Sequence, residues 1–193
     1  MRFPDRLRLP LAFDPVRLVR DLESLAGTEW TDHFVKQNYA GNWSAMPLRA
    51  KAGARHPIMM IASDPTATAS EDTPHLRHCP YFREVLGRFR CPLGSVRLMR
   101  LGPGSRIHEH SDLDLGFEDG AVRLHLPIVT NSGVSFFLNR SPLDMQPGTA
   151  WYLRLSDPHS AANDGDSDRV HMVIDAIADD WVKELLVAAM QGQ

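Results

Sequence analysis

Three turn tripeptides, Gly102-Pro103-Gly104, Asn131-Ser132-Gly133 and Gln146-Pro147-Gly148, cut the second half of this chain into short runs rich in Val, Leu, Ile and Phe. Glycine accepts positive φ and proline fixes φ while removing an amide donor, so extended chain reverses at such points. The runs between them predict strands over 95–101, 106–110, 121–130, 134–139, 149–155, 159–163 and 169–177. Many short strands at this spacing indicate a sandwich or barrel, and a double-stranded β-helix, or jelly roll, is one way to manage their edges. The fold class expected is mainly β, with helices flanking the strands.

The flanks read as packing elements. Asp14-Pro15 followed by Val16, Leu18, Val19, Leu22 and Leu25 predicts a helix that Asp14 caps and Gly27 ends. Phe82, Val85, Leu86 and Phe89 share one face of a second helix over 80–89, and 179–190 forms a terminal amphipathic helix with acidic residues at its positive end. Asn42 to Arg49 alternates as a strand, and His56 to Ile61 is expected to be a short buried strand inside a loop-rich stretch, 51–73, where substrate contacts are expected. With 193 residues, one domain is expected over 1–193: a helical and loop-rich part to 92, a jelly-roll core over 93–178 and the terminal helix.

Charge narrows the partners. Lys plus Arg number 21 against 24 Asp plus Glu, so no strong field selects nucleic acid or an anionic membrane, and a small molecule is the expected partner. Cys79 and Cys91 are too few for a disulfide framework, which fits a reducing cytoplasm. No apolar run reaches signal-peptide length or the roughly 20 residues needed to span a bilayer. Oligomeric state is left open.

Chemistry concentrates between Arg106 and Asp175. His110-x-Asp112 puts an imidazole and a carboxylate on one side of an extended segment, because strand side chains repeat every second residue. His159 supplies a third ligand if its strand lies beside the first, and two imidazoles with one carboxylate form the facial set that suits non-haem Fe(II). His108 and Asp114 are competing ligands in looser versions of the motif. His33, His56, His75 and His78 lack paired partners, and a solvated or capping role is expected for them. Trp151 and Phe136-Phe137 read as core.

The combination of Pro103-Gly104, His110-Ser-Asp112, Arg123-Leu-His125-Leu-Pro, Gln146-Pro-Gly148-Thr-Ala-Trp151, Pro158-His159-Ser and Arg169-Val-His171-Met-Val-Ile-Asp175 resembles the aspartyl/asparaginyl beta-hydroxylase family. That family comprises Fe(II)- and 2-oxoglutarate-dependent oxygenases, with bacterial relatives that act on free amino acids such as proline. The resemblance implies that His110, Asp112 and His159 ligate iron and that Arg169 pairs with the distal carboxylate of 2-oxoglutarate through a two-pronged contact. It places Arg123 and His125 at the cosubstrate, on the strand face opposite Leu124, Leu126 and Ile128, with His171 lining the same pocket. Animal members that modify growth-factor-like domains carry glycine where Asp112 stands, so a complete triad points toward the bacterial branch. The implied reaction consumes O2 and 2-oxoglutarate and hydroxylates an aspartyl or asparaginyl residue or a free amino acid.

Other readings stay open at this level. Arg97, which shares a strand face with Met99 and Leu101, reaches a substrate carboxylate or stays at the surface. His108-x-His110-x-Asp112 also opens a metallo-hydrolase motif, but that motif requires histidine where this chain has Leu113. A non-catalytic jelly-roll module that binds a small molecule is the remaining alternative.

Overall fold

A computed structural model describes residues 2–64 and 67–192. In chain order the elements are β1 (Arg6–Ala12), α1 (Pro15–Glu23), β2 (Thr31–Asp32), β3 (Tyr39–Ala40), β4 (Trp43–Lys51), α2 (Pro57–Ile61), β5 (Ser70–Asp72), α3 (Pro74–Arg77), α4 (Pro80–Leu86), β6 (Leu93–Leu101), β7 (Ser105–His110), β8 (Ala121–Val129), β9 (Val134–Leu138), β10 (Ser141–Pro142), β11 (Thr149–Leu153), β12 (His159–Asn163), β13 (Arg169–Ile177) and α5 (Asp180–Gln191). Among the described residues they form an eight-stranded sheet in the order β1-β11-β8-β13-β6-β4-β2, with β5 on β4, and a five-stranded sheet in the order β10-β9-β12-β7-β3. Every pairing is antiparallel. The molecule is the mainly β jelly roll that the turn spacing predicts.

Alternation along the large sheet separates two cores. Val122, Leu124, Leu126 and Ile128 of β8, Val170, Met172 and Ile174 of β13, and Val96 and Leu98 of β6 face outward against α1, α3, α4 and α5, where they meet Leu18, Leu76, Phe82, Val85 and Leu186. The intervening positions face the small sheet. There Ala45, Met99, Leu101, Leu153 and Val173 meet Ile107, Phe136, Leu138 and Ala161. A large sheet with one face on helices and the other inside the roll therefore positions every second residue of its central strands toward the interior.

The helix ends follow the sequence. Asp14 accepts hydrogen bonds from the amides of Val16 and Arg17, Pro15 opens α1, and Gly27 takes φ 82 just beyond it. Asp179 accepts from the Val182 amide at the start of α5. One expected element is different: His56 to Ile61 contains a helix, not a strand. Pro57 occupies the first helical position, the His56 ring accepts from the Ile58 amide, and only Ile61 of this helix is buried. A strand would have required a partner edge, whereas a capped single turn needs only local bonds. The N-terminal segment also supplies a strand that was not expected, β1, which lies at the edge of the large sheet. Pro10 lies within it, and an edge is where a residue without an amide donor is tolerated. With β4 in the same sheet, the strands before residue 92 are part of the roll as well as its cover. No helix among the described residues is long and apolar enough to cross a membrane.

Candidate active site

The pairing of β12 with β7 sets His159 opposite His110. Asp112 lies just past the end of β7, where its amide donates to the Leu155 carbonyl at 2.8 Å and ties the segment down. The three side chains offer ligand atoms that all lie within 4.8 Å of one another. Their local bonds prepare them for a cation. Nδ1 of His110 meets the His108 carbonyl at 2.8 Å, and Nδ1 of His159 meets the Asp157 carbonyl at 3.0 Å. A carbonyl oxygen only accepts, so each Nδ1 carries the proton and each Nε2 presents a lone pair. Burial holds His159 below the ordinary histidine range despite the Asp157 carbonyl, which favours the neutral, ligating form. The donor set of two neutral imidazoles and one carboxylate fits a non-haem Fe(II) site.

The competing ligands fall away. His108 is exposed, and Asp114 is exposed on a backbone with φ 55. Neither belongs to the cluster.

The large sheet brings the cationic residues to the same cavity, which has a volume of about 1130 Å³ and is bordered by His110, Asp112, His159, Arg97, Arg123 and Arg169 among others. Arg97, Arg123, Arg169 and Asp175 are only 5%, 9%, 3% and 7% exposed, so their charges must be balanced inside the protein or by a ligand. Asp175 balances two of them. It accepts from Arg123 Nε at 2.6 Å and Nη2 at 3.1 Å, from Arg97 Nη1 at 3.0 Å and from Ser63 Oγ at 2.8 Å. Burial alone would raise the Asp175 carboxyl, but Arg123 and Arg97 outweigh it and hold the group well below the usual carboxylate range. Arg123 reaches the other way with Nη1, which donates to Asp112 Oδ2 at 2.6 Å. For this guanidinium too, burial is outweighed by Asp175 and Asp112, which keep it charged.

Among the described residues Arg169 has no carboxylate partner. Its Nη2 donates to Nδ1 of His171 at 3.0 Å, and its Nε is buried with no partner among the described residues. Burial draws it down to about 10. His125 stands beside it, likewise with Nε2 buried and without a partner. Both His125 and His171 are held well below their ordinary range, by burial first and then by the charge of Arg169, so both are neutral near pH 7. Unpartnered polar atoms in a buried wall cost roughly 1–3 kcal/mol each unless a ligand satisfies them. The Nε–H of Arg169 therefore calls for an acceptor, such as a carboxylate oxygen.

His171 stands behind Arg169 and is not on the cavity surface, whereas His125 is. The sequence reading assigns no site role to three further features. Phe136 lines the cavity with its ring 6.3 Å from that of His159 and 6.0 Å from the Arg169 guanidinium, although it reads as core. His33 stacks on Trp43 with ring centroids 3.6 Å apart, and Trp43 lies 6.4 Å from His110, so an aromatic wall borders the ligand cluster. Asp175 had a signal: it lies on the alternation that begins at Arg169, two residues beyond Val173.

A family model described as aspartyl/asparaginyl beta-hydroxylase matches residues 17–179. The chain belongs to that family. Curated relatives with similar sequences include an L-proline cis-4-hydroxylase of Rhizobium meliloti (strain 1021), 31% identical over 166 residues that cover 84% of this chain and 57% of the relative. An L-proline cis-3-hydroxylase 2 of a Streptomyces species is 24% identical over 168 residues, covering 86% and 57%. The chain spans a little over half the length of these curated relatives. Solved structures of like fold include an oxidoreductase of the 2OG-Fe(II) oxygenase family from Burkholderia pseudomallei, with TM-score 0.56, 15% identity and coverage of 91% of this chain and 86% of the other. A prolyl-4-hydroxylase from Pseudomonas putida aligns with TM-score 0.54, 10% identity and coverage of 90% and 91%. The family's aspartyl/asparaginyl beta-hydroxylase match runs through both sheets, from α1 to the segment before α5.

Proposed function

We propose that this chain is an Fe(II)- and 2-oxoglutarate-dependent dioxygenase that hydroxylates a free amino acid of the proline type. The observation that carries the reading is one cavity lined both by the His110, Asp112, His159 cluster and by the unpartnered polar atoms of Arg169 and His125. The proline hydroxylases among its relatives support the substrate class. When bound, iron with 2-oxoglutarate and O2 supplies the oxidant for C–H hydroxylation.

The protein's part is to hold and exclude. His110, Asp112 and His159 would hold the metal through Nε2 lone pairs and a carboxylate oxygen, leaving the remaining positions for small ligands. Arg169 would receive the distal carboxylate of 2-oxoglutarate, with His125 beside it and His171 fixing the guanidinium from behind. Arg123, expected at the cosubstrate, is engaged by Asp112 and Asp175 and in this reading orients Asp112. Arg97 lines the cavity with Nε and Nη2 free of partners among the described residues, which suits a substrate carboxylate. Phe136, Trp43 and the neutral His33 give that substrate an apolar surface and limit water near the metal. Cys79 and Cys91 are free and buried, in keeping with a reducing cytoplasm.

Anaerobic addition of Fe(II) and 2-oxoglutarate to the purified protein tests the reading. A weak visible charge-transfer band is expected, diminished by Arg169→Ala, and succinate release is expected once O2 is admitted in the presence of L-proline or a related amino acid. Absence of the band would leave no ground for the oxygenase reading; a band without turnover on any amino acid would favour a binding module.

A further inference from the structure

We propose that Asp175 is a positioning residue that couples the substrate-facing Arg97 to the metal-ligand carboxylate Asp112, acting through Arg123. The proposal rests on the reading of His110, Asp112 and His159 as metal ligands, and concerns how that site senses its substrate.

The geometry is a continuous chain of charged hydrogen bonds. Arg97 Nη1 donates to Asp175 Oδ2 at 3.0 Å, Arg123 Nε and Nη2 bracket the same carboxylate at 2.6 and 3.1 Å, and Arg123 Nη1 holds Asp112 Oδ2 at 2.6 Å. Asp112 Oδ1 lies 3.7 Å from Nε2 of His110, on the side of the ligand cluster. Arg123 thus holds one oxygen of Asp112 and leaves the other to the cluster. The backbone explains the order: Asp175 on β13 faces Arg123 on β8, while Arg97 on β6 is paired with Val173, two residues before Asp175. Three neighbouring strands of one sheet therefore carry the chain on their interior positions.

Asp175 is shared between two arginines, and this sharing transmits the effect. A carboxylate that binds the free face of Arg97 competes with Asp175 for that guanidinium. Asp175 then attracts Arg123 more strongly, Arg123 yields part of its hold on Asp112, and the Asp112 carboxylate becomes a better donor to a cation. Carboxylate binding at Arg97 and metal binding at Asp112 must then strengthen each other, by linkage equally in both directions. Direct attraction between a carboxylate bound at Arg97 and the cation would persist without Asp175, whereas the relay requires it.

Manganese(II) alone, titrated into the apo-protein with and without cyclopentanecarboxylate, reads the coupling without turnover. That probe keeps a ring and a carboxylate but has no amine with which to chelate the metal. In the unaltered protein the carboxylate should tighten Mn(II) binding by about five-fold or more, within the usual range of coupling between sites. Asp175→Asn, nearly the same shape without the charge, should bind Mn(II) but bring the effect of the carboxylate below about two-fold. Arg97→Ala should do the same, and it decides the matter if Asp175→Asn does not fold. Full coupling retained in either folded variant, or no coupling in the unaltered protein while Mn(II) binds, overturns the relay. Failure of the unaltered protein to bind Mn(II) at all overturns the metal-site reading and the relay with it, a result distinct from the other two.

Discussion

The two faces of β8 and β13 share one backbone and do opposite work. Outward, Leu124, Leu126, Met172 and Ile174 are fully buried against helices and carry no polar atom. Inward, Arg123, His125, Arg169, His171 and Asp175 are nearly as buried and are held by hydrogen bonds and charge. The outward face gains by removing apolar area from water, a favourable and non-directional term. The inward face bears the desolvation of several charges, which only close pairing offsets. Stability should therefore reside mainly in one set of alternate residues and function in the other.

The sharpest way to break that contrast is Asp112→Ala. Removal of one of the three proposed ligands should abolish measurable Fe(II) binding and lower turnover by more than about a hundredfold, since loss of an outer partner alone costs about 10–100-fold. Metal titration and succinate release check it, and full turnover in this variant would end the ligand assignment. The outward face should respond in the opposite sense. Leu124→Ala is expected to cost about 2–5 kcal/mol of unfolding free energy in denaturant melts, with metal affinity unchanged in the protein that remains folded. Arg169→Lys is a finer probe of the inward face: it retains charge and loses the fork, so 2-oxoglutarate affinity should fall by roughly ten- to a hundredfold with little change in melting temperature.

The smallest effect expected is that of pH. His33, drawn down to about 4 by burial, stays neutral in the folded protein well below the pH at which an unfolded histidine protonates, as do His125 and His171. The unfolded chain then binds more protons, so stability is full above roughly pH 6.5 and falls as pH drops from there toward 4. Melting temperature measured across that window should decline, and His33→Phe should make the decline shallower. Asp175 acts in a lower window. Its depressed carboxyl contributes stability above the unfolded value near 3.8 that is lost as pH falls further.

Much of this arrangement is visible in the order of residues. Turn tripeptides delimit β6 to β13, the alternation in Arg123-Leu124-His125-Leu126 separates inside from outside, and Asp14 and Asp179 mark helix starts by offering oxygens to free amides. The spacing of His110 and Asp112, with a distant histidine and arginine, points to the metal chemistry proposed. His56 to Ile61 reads as a strand yet folds as a helix because a short apolar run has no period long enough to tell the two apart, and a cap at His56 tips it. β1 is not legible in the sequence because Pro10 argues against a strand unless the strand lies at an edge, and edges are not written locally.

The sequence by itself determined the class of fold, the interior face of each central strand and the types of residue that gather in the cavity, because these follow from residue chemistry and a period of two along the chain. Tertiary structure alone decided that His159 lies against His110, that Trp43 meets His33, and that Asp175 serves Arg97 and Arg123 together. Strand register and sheet order join residues far apart in the chain, and they are set by the whole core closing at once; no local pattern of side chains encodes them.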